Sequence, residues 1–303
     1  MIGGSQEIPF PTKLFVRGNI ATLDAKRSQA EYHALQLTVI AQLKRLYYDL
    51  YFVNKSIEIY HKNQLLLDEI EKSAEANYSV GKTEQQDIYR AQTEISRLQM
   101  RLVMLKQERQ SLEADINRLL NRSLAISIST PSSLSITLLK LDLAKFNCLI
   151  EKQAPLLQAQ LKAVQKGKQA IKLSRLNYFP DVEIEAGRLH DTAMHMQGYQ
   201  ALLKARIPLY FATKQHYEVR ESIARYSADV EDLYTTHRDL LFQAKNSFLL
   251  VQRSAQLIHL IQGTIIPQAT LAFTSSEASY GVGKVDFLTL LPTFRTNVED
   301  FYN

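Results

Sequence analysis

Glycine and proline are scarce in this chain: 10 Gly and 8 Pro in 303 residues, too few turn-formers for a β-sandwich, a barrel of short strands or an ordinary α/β domain. A single cysteine, Cys148, excludes an internal disulfide and a cysteine-built zinc site. Set beside Phe146, Leu149 and Ile150, it reads as a small buried hydrophobe. No run of about 18 apolar residues occurs, so no transmembrane helix is expected. The net charge of +5 is weak for this length, and Lys and Arg alternate with Glu and Asp instead of forming a block, which argues against a nucleic-acid partner. There is no Gly-rich phosphate loop, no nucleophile elbow and no His-Glu-x-x-His. The chain therefore reads as a non-enzyme, with no catalytic residue and no cofactor. Met1-Ile2-Gly3-Gly4-Ser5-Gln6-Glu7 lacks the basic start and apolar core of a secretory signal, which at face value places the chain in the cytoplasm.

What the chain does contain, it contains twice. Tyr78-Ser79-Val80-Gly81-Lys82 recurs as Tyr280-Gly281-Val282-Gly283-Lys284. Ile8-Pro9-Phe10 recurs as Ile207-Pro208-Leu209, and Arg17-Gly18-Asn19-Ile20-Ala21 as Arg220-Glu221-Ser222-Ile223-Ala224. The offsets of 202, 199 and 203 residues keep one register, the mark of an internal duplication with one repeat over 1–140 and the other over 141–303. Each Tyr-x-x-Gly reads as a tight reversal between helices, with Gly supplying the left-handed backbone.

Pro9 and Pro11 argue against a helix at the start, and the alternation at Leu14 and Val16 reads as a short strand. From about Thr22 to Tyr78 neither proline nor glycine appears, and Leu43, Leu46, Leu50, Val53, Ile57 and Tyr60 fall on a heptad seam. A helix of that span would be roughly 85 Å long. After Gly81 the seam resumes at Ile88, Ala91, Ile95, Leu98, Leu102, Leu105, Leu112, Ile116 and Leu119, which predicts an antiparallel hairpin. Residues 122–140 form a connector in which Ile126, Ile128 and Ile136 could make a small strand. A third helix is expected over 141–177, with Pro155 as a kink or a new start. Asp181–Gly187 and Tyr199–Ile207 alternate as a β-hairpin around a polar loop from Arg188 to Gly198. A second very long helix follows over 213–276, carrying Ile223, Tyr226, Val230, Leu233, Leu240, Ala244, Val251, Ile258, Ile261 and Ile265, with a kink expected at Pro267. A last helix begins beyond Gly283. The fold class is mainly α with a few β-strands. Helical hairpins of this length cannot bury their apolar stripes alone and need other hairpins.

In this order, Gln6-x-Ile8-Pro9-Phe10-Pro11-x-Lys13, Tyr78-x-x-Gly81 with Asp87 and Ala91-Gln92, Pro180-x-Val182, Ile207-Pro208-Leu209-Tyr210, Ile266-Pro267-Gln268-Ala269 and Tyr280-x-x-Gly283-Lys284 with Asp286-Phe287-Leu288 resemble the TolC family of outer-membrane efflux channels. The Pro-Phe-Pro-x-Lys stretch is most similar to the heavy-metal branch, with Thr12 where that branch has Gly. The resemblance implies a homotrimer whose strands build a transmembrane β-barrel in outer-membrane lipid, and whose coiled-coil hairpins continue it as a periplasmic α-barrel. It also implies a periplasmic adaptor and an inner-membrane pump as partners. A member should open with a signal sequence and a further strand, so the chain is expected to be truncated at both ends, carrying three of four strands. The resemblance makes Tyr78, Gly81, Lys82, Tyr280, Gly283 and Lys284 candidates for adaptor docking, and Asp286, Thr289 and Asp87 candidates for a gate. Asp286 and Asp87 also suit the plain role of acids at helix N-termini.

His190, Met194, His195 and Met196 cluster in the hairpin loop. Thioethers with imidazole suit Cu(I) or Ag(I), but an external loop tolerates such residues freely, and no metal is assigned. His33, His61, His216, His237 and His259 are scattered on helices without ligand spacing. The alternatives to an efflux duct are a type I secretion exit duct of the same architecture and a soluble coiled-coil adaptor or scaffold, for which the strands would have no use.

Overall fold

The computed structural model describes residues 2–135, 142–191, 196–207 and 209–300. In chain order the elements are β1 (Ile2–Ile8), α1 (Pro11–Ser79), α2 (Gln85–Leu119), α3 (Leu143–Gln153), α4 (Pro155–Leu176), β2 (Asp181–Asp191), β3 (Met196–Arg206), α5 (His216–Leu260), α6 (Ile266–Gly281) and α7 (Phe287–Asp300). Short π turns precede α5 and α6, at Phe211–Gln215 and Ile261–Ile265. Two compact units form, each drawing on both repeats: residues 1–37 with 141–246, and residues 38–140 with 247–303.

The first unit carries a three-stranded antiparallel sheet in the order β1-β2-β3. Its register pairs Ile8 with Val182 and Val182 with Ala205. Because side chains alternate along a strand, this register sorts them into two faces. Ile8, Val182, Ile184, Ala186, Tyr199, Ala201, Leu203 and Ala205 share one face, with Gln6 and Arg188 among them. Glu7, Asp181, Glu183, Glu185, Lys204 and Arg206 share the other, with Leu202 among them. Lys204 pairs with Glu185 on the charged face, and Arg206 reaches Glu7 at 3.8 Å.

The strand at the chain's start lies before Pro9, not at Leu14 and Val16, which belong to α1. Proline is at home in the first turn of a helix, where its missing N–H would have had no partner, so Pro11 opens α1 instead of barring it. Every third or fourth side chain then turns inward, and Lys13 and Val16 are buried. Lys13, 3 % exposed, donates through Nζ to Asp181 Oδ1 at 2.8 Å and to the Phe179 carbonyl at 3.0 Å. The Phe10 amide donates to the same Oδ1 at 2.8 Å, and the Phe10 and Phe179 rings stack at 4.9 Å. One carboxylate thus fixes the end of β1, the start of α1 and the start of β2.

Pro155 is a new beginning. Ala154 is extended, and Pro155 opens α4 as its first residue. The β-hairpin runs further than its polarity suggested, with Arg188 paired to Tyr199 and Asp191 to Met196, so Arg188–Asp191 and Met196–Gly198 are strand, not loop. Cys148 is exposed, not buried, on a helix with no buried residue.

In the second unit Leu50 and Val53 are buried on α1, and Ala91, Leu102, Leu105 and Ile116 on α2, following the seam. On the second long helix the same spacing is mostly half-buried: Ala244 is buried, Tyr226, Val230, Leu233, Leu240, Ile261 and Ile265 are half-buried, and Ile223, Val251 and Ile258 are exposed. No strand forms at Ile126 or Ile128, because the connector's backbone groups are taken by helix side chains. Asn117 Nδ2 donates to the Ile126 carbonyl at 2.7 Å, and the Ile128 amide donates to Glu113 Oε1 at 3.3 Å. Ile136 lies outside the described residues. The π turn at Ile261–Ile265 falls directly before Pro267, where the proline ring would crowd the preceding carbonyls and a widened turn relieves it.

Candidate functional site

Both Tyr-x-x-Gly reversals lie in the second unit and close in the same way. The Gly81 amide donates to the Tyr78 carbonyl at 3.0 Å and the Lys82 amide to the Asn77 carbonyl at 2.9 Å. The Gly283 amide donates to the Tyr280 carbonyl and the Lys284 amide to the Ser279 carbonyl, both at 2.9 Å. The six-residue bond with a left-handed glycine is a helix C-cap motif. Gly81 has φ +71° and Gly283 φ +75°. A Cβ at Gly81 would meet open space, so conformation, not room, requires glycine there.

The surroundings of the two turns differ. Tyr280 is 2 % exposed while its repeat partner Tyr78 is 46 % exposed. Tyr280 packs edge-on against Phe287 at 6.0 Å, within an apolar cluster built by Leu67, Ile70 and Ala74 of α1, Ala91 of α2, Phe273 of α6, and Leu290 and Phe294 of α7. Asn77, also buried, donates to the Tyr280 carbonyl at 3.5 Å. Among the described residues the Tyr280 hydroxyl has no hydrogen-bond partner. Burial, and then the nearby Asp87 carboxylate, push its pKa up to about 12.

Asp87 stands in the first turn of α2 and is 5 % exposed. Burial pushes its pKa up, Arg90 at 3.4 Å opposes that shift, and Asp286 adds to it by repulsion. Asp286 itself is exposed. Its Oδ1 accepts from the Thr289 amide at 3.0 Å and from the Thr289 hydroxyl at 2.7 Å, the bonding of an N-cap. Those bonds hold its pKa low. Asp87 is therefore within electrostatic reach of both Tyr280 and Asp286, and Thr289 is engaged by the cap. Tyr78, Val80, Lys82, Val282 and Lys284 line the open surface of the turns. The sequence reading did not single out Asn77, Glu94 or Arg295, and it named Phe287 only within the Asp286-Phe287-Leu288 stretch.

His190 and Met196 lie on neighbouring strands at the far end of the hairpin, and Met194 and His195 lie outside the described residues. Among the described residues no helix is long and apolar enough to cross a membrane, which says nothing of a β-barrel.

The model of the outer membrane efflux protein family matches residues 3–122 and 149–298. The chain belongs to that family. Its fold is similar to that of the outer-membrane channel OprN, with a TM-score of 0.86 at 16% identity, covering 98% of this chain and 68% of that one. VceC, an outer membrane protein of Vibrio cholerae, gives 0.81 at 18% identity, covering 99% and 73%. CusC, whose structures concern transmembrane channel formation, gives 0.84 at 14% identity, covering 99% and 71%. No curated protein matches by sequence. The family is one of channels, and these likenesses do not single out its heavy-metal branch.

Proposed function

We propose that three copies of this chain wall a passive exit duct of a tripartite efflux system, with the sheet in outer-membrane lipid and the helices in the periplasm. Energy for export is supplied elsewhere, by an inner-membrane pump linked through an adaptor that docks on the two reversal turns. The observation that carries this reading is the two-faced sheet: a mainly apolar face, with Ile8, Val182, Ile184 and Leu203 and with Arg188 at its far end, suits lipid, and a charged face from Glu7 to Arg206 suits a watery lumen. Exposed Ile223, Val251 and Ile258 on the seam of α5 give a second copy a surface to cover.

The turn surface with Tyr78, Val80, Lys82, Val282 and Lys284 is the proposed docking face, and Asp286, Thr289 and Asp87 are the proposed gate. In closed turns Asp87 is held beneath Tyr280, and opening would hydrate both. The repeats 1–140 and 141–303 would supply alternating hairpins of the wall. A soluble coiled-coil scaffold leaves the sheet without purpose. A protein-secretion duct would share the same wall and is told apart by cargo.

The test is fractionation with chemical cross-linking. The protein is expected in the outer-membrane fraction as a species of three chains, and a preparation of it is expected to carry current across planar lipid bilayers. A soluble monomer in the periplasmic or cytosolic fraction would overturn the reading.

A further inference from the structure

At the end of the sheet, where β3 gives way to α5, the first unit holds a hollow of about 390 Å³. Gln215 lines it and is 7 % exposed, yet its Oε1 has no hydrogen-bond partner among the described residues. Such an acceptor calls for a donor from outside the chain. The π turn Phe211–Gln215 carries the residue there. Unlike the turn before Pro267, this one has no proline after it to account for the widening. Widened turns of this kind recur at functional sites.

The rest of the lining carries both signs of charge. Exposed Lys214 and Arg206 supply the cations, and Arg206 Nη1 stands 3.8 Å from Glu7 Oε1 with most of its side chain in solvent. Glu218 supplies a carboxylate, whose Oε2 accepts from Asn177 at 3.2 Å. Lys13 and Asp181 also reach the hollow but satisfy each other. Ile207, Leu209 and Tyr210 complete the lining, and all three are exposed. Ile207 continues the alternation of Leu203 and Ala205 on the apolar face. A water would satisfy the amide alone. A ligand that uses every feature carries an ammonium for Gln215 and Glu218, a phosphate for Lys214 and Arg206, and an apolar tail for the exposed trio.

We infer that this hollow binds the headgroup of a zwitterionic phospholipid of the ethanolamine type, with its acyl chains lying along the apolar face toward Leu203. A primary ammonium has three N–H donors and meets an unpartnered amide oxygen as a quaternary one does not. That the ligand arrives as a membrane lipid rests on the exit-duct reading, which sets this end of the sheet at the boundary of lipid and water. The recognition of an ammonium and a phosphate does not rest on it.

The full chain, purified in detergent and stripped of lipid, is titrated with phosphatidylethanolamine, phosphatidylcholine and phosphatidylglycerol, and bound lipid is counted by native mass spectrometry. The ethanolamine lipid is expected to bind severalfold more tightly than either of the others. Gln215→Leu should erase its advantage over the choline lipid, and Lys214→Glu should weaken both. Lys172→Glu, at an exposed position of α4 outside the hollow, should change neither. Equal binding of the three lipids by the parent would overturn the inference. So would an ethanolamine affinity unchanged in Lys214→Glu, a variant at an exposed position whose fold is not at stake. Glycerophosphoethanolamine, which has the headgroup without the chains, should compete only at far higher concentration. Competition at the lipid's own concentration would overturn the lipid as ligand in favour of a free zwitterion. If the protein fails to enter the outer membrane, the exit-duct reading fails, while the titration in detergent still decides the site.

Discussion

Asp87 and Tyr280 are both buried polar groups, Tyr280 within the apolar cluster and Asp87 with Arg90 at 3.4 Å as its partner. The Tyr280 hydroxyl lacks a partner among the described residues, so removing it relieves a desolvated group, whereas removing the ring opens a cavity. Tyr280→Phe should leave stability unchanged or raise it by up to about 1 kcal/mol, and Tyr280→Ala should cost about 3–5 kcal/mol, both read by chemical denaturation. Asp87 has its pKa raised, with burial as the first cause. The folded chain thus binds that proton more tightly than the unfolded chain, and ionisation works against the fold. Protection of the α2 amides near Ala91 against exchange should fall as pH rises from the ordinary carboxylate value of 3.8 through the raised one. In Asp87→Asn this dependence should flatten and protection at neutral pH should rise. A parent whose protection is indifferent to pH across that window would show the carboxylate to be better solvated than its burial implies.

Helices and turns were the elements most legible in sequence, because their signals are local. Gly81 and Gly283 were readable as reversals, and both adopt positive φ. Gly81→Ala should therefore cost roughly 1–2 kcal/mol even though its Cβ meets nothing, and Gly81→Asn should cost less; thermal unfolding of the two variants separates them. Pro11 misled the reading, since proline breaks a helix interior but suits its first turn. Ile126 and Ile128 misled it too, because β-branched residues near Asn117 and Glu113 lose their backbone partners to those side chains. The candidate site was half legible. Two equivalent Tyr-x-x-Gly copies gave no hint that Tyr280 is covered and Tyr78 open, since that difference depends on which hairpin packs where. The Lys13–Asp181 pair was likewise beyond periodicity, joining residues 168 apart. Lys13→Met would leave Asp181 without its cation at the point where three elements meet. It should cost about 3 kcal/mol and speed amide exchange at Phe10, and an unchanged Phe10 rate would show that the ring stack with Phe179 holds the junction without the charge.

At the scale of the whole molecule, one register decides what each side of the sheet meets. Leu203 and Lys204 are neighbours in β3 and opposite in facing: Leu203 lies with Ile184 and Ala186's face, while Lys204 pairs with Glu185 on the charged one. Leu203 is 72 % exposed in the single chain, which in water would be an idle apolar surface and in lipid is a contact. Placing a cation there tests which solvent it faces. If the sheet lies in the outer membrane, Leu203→Lys should cost up to about 2–4 kcal/mol, depending on depth, and should lower the amount recovered in the outer-membrane fraction. Lys204→Leu removes a lumenal ion pair worth little by comparison and should insert as the parent does. In water the order reverses, because Leu203→Lys would then improve solubility and Lys204→Leu would add to the apolar surface. The sign of the difference between these two adjacent substitutions, read in one fractionation experiment, distinguishes a wall in lipid from a face in solvent.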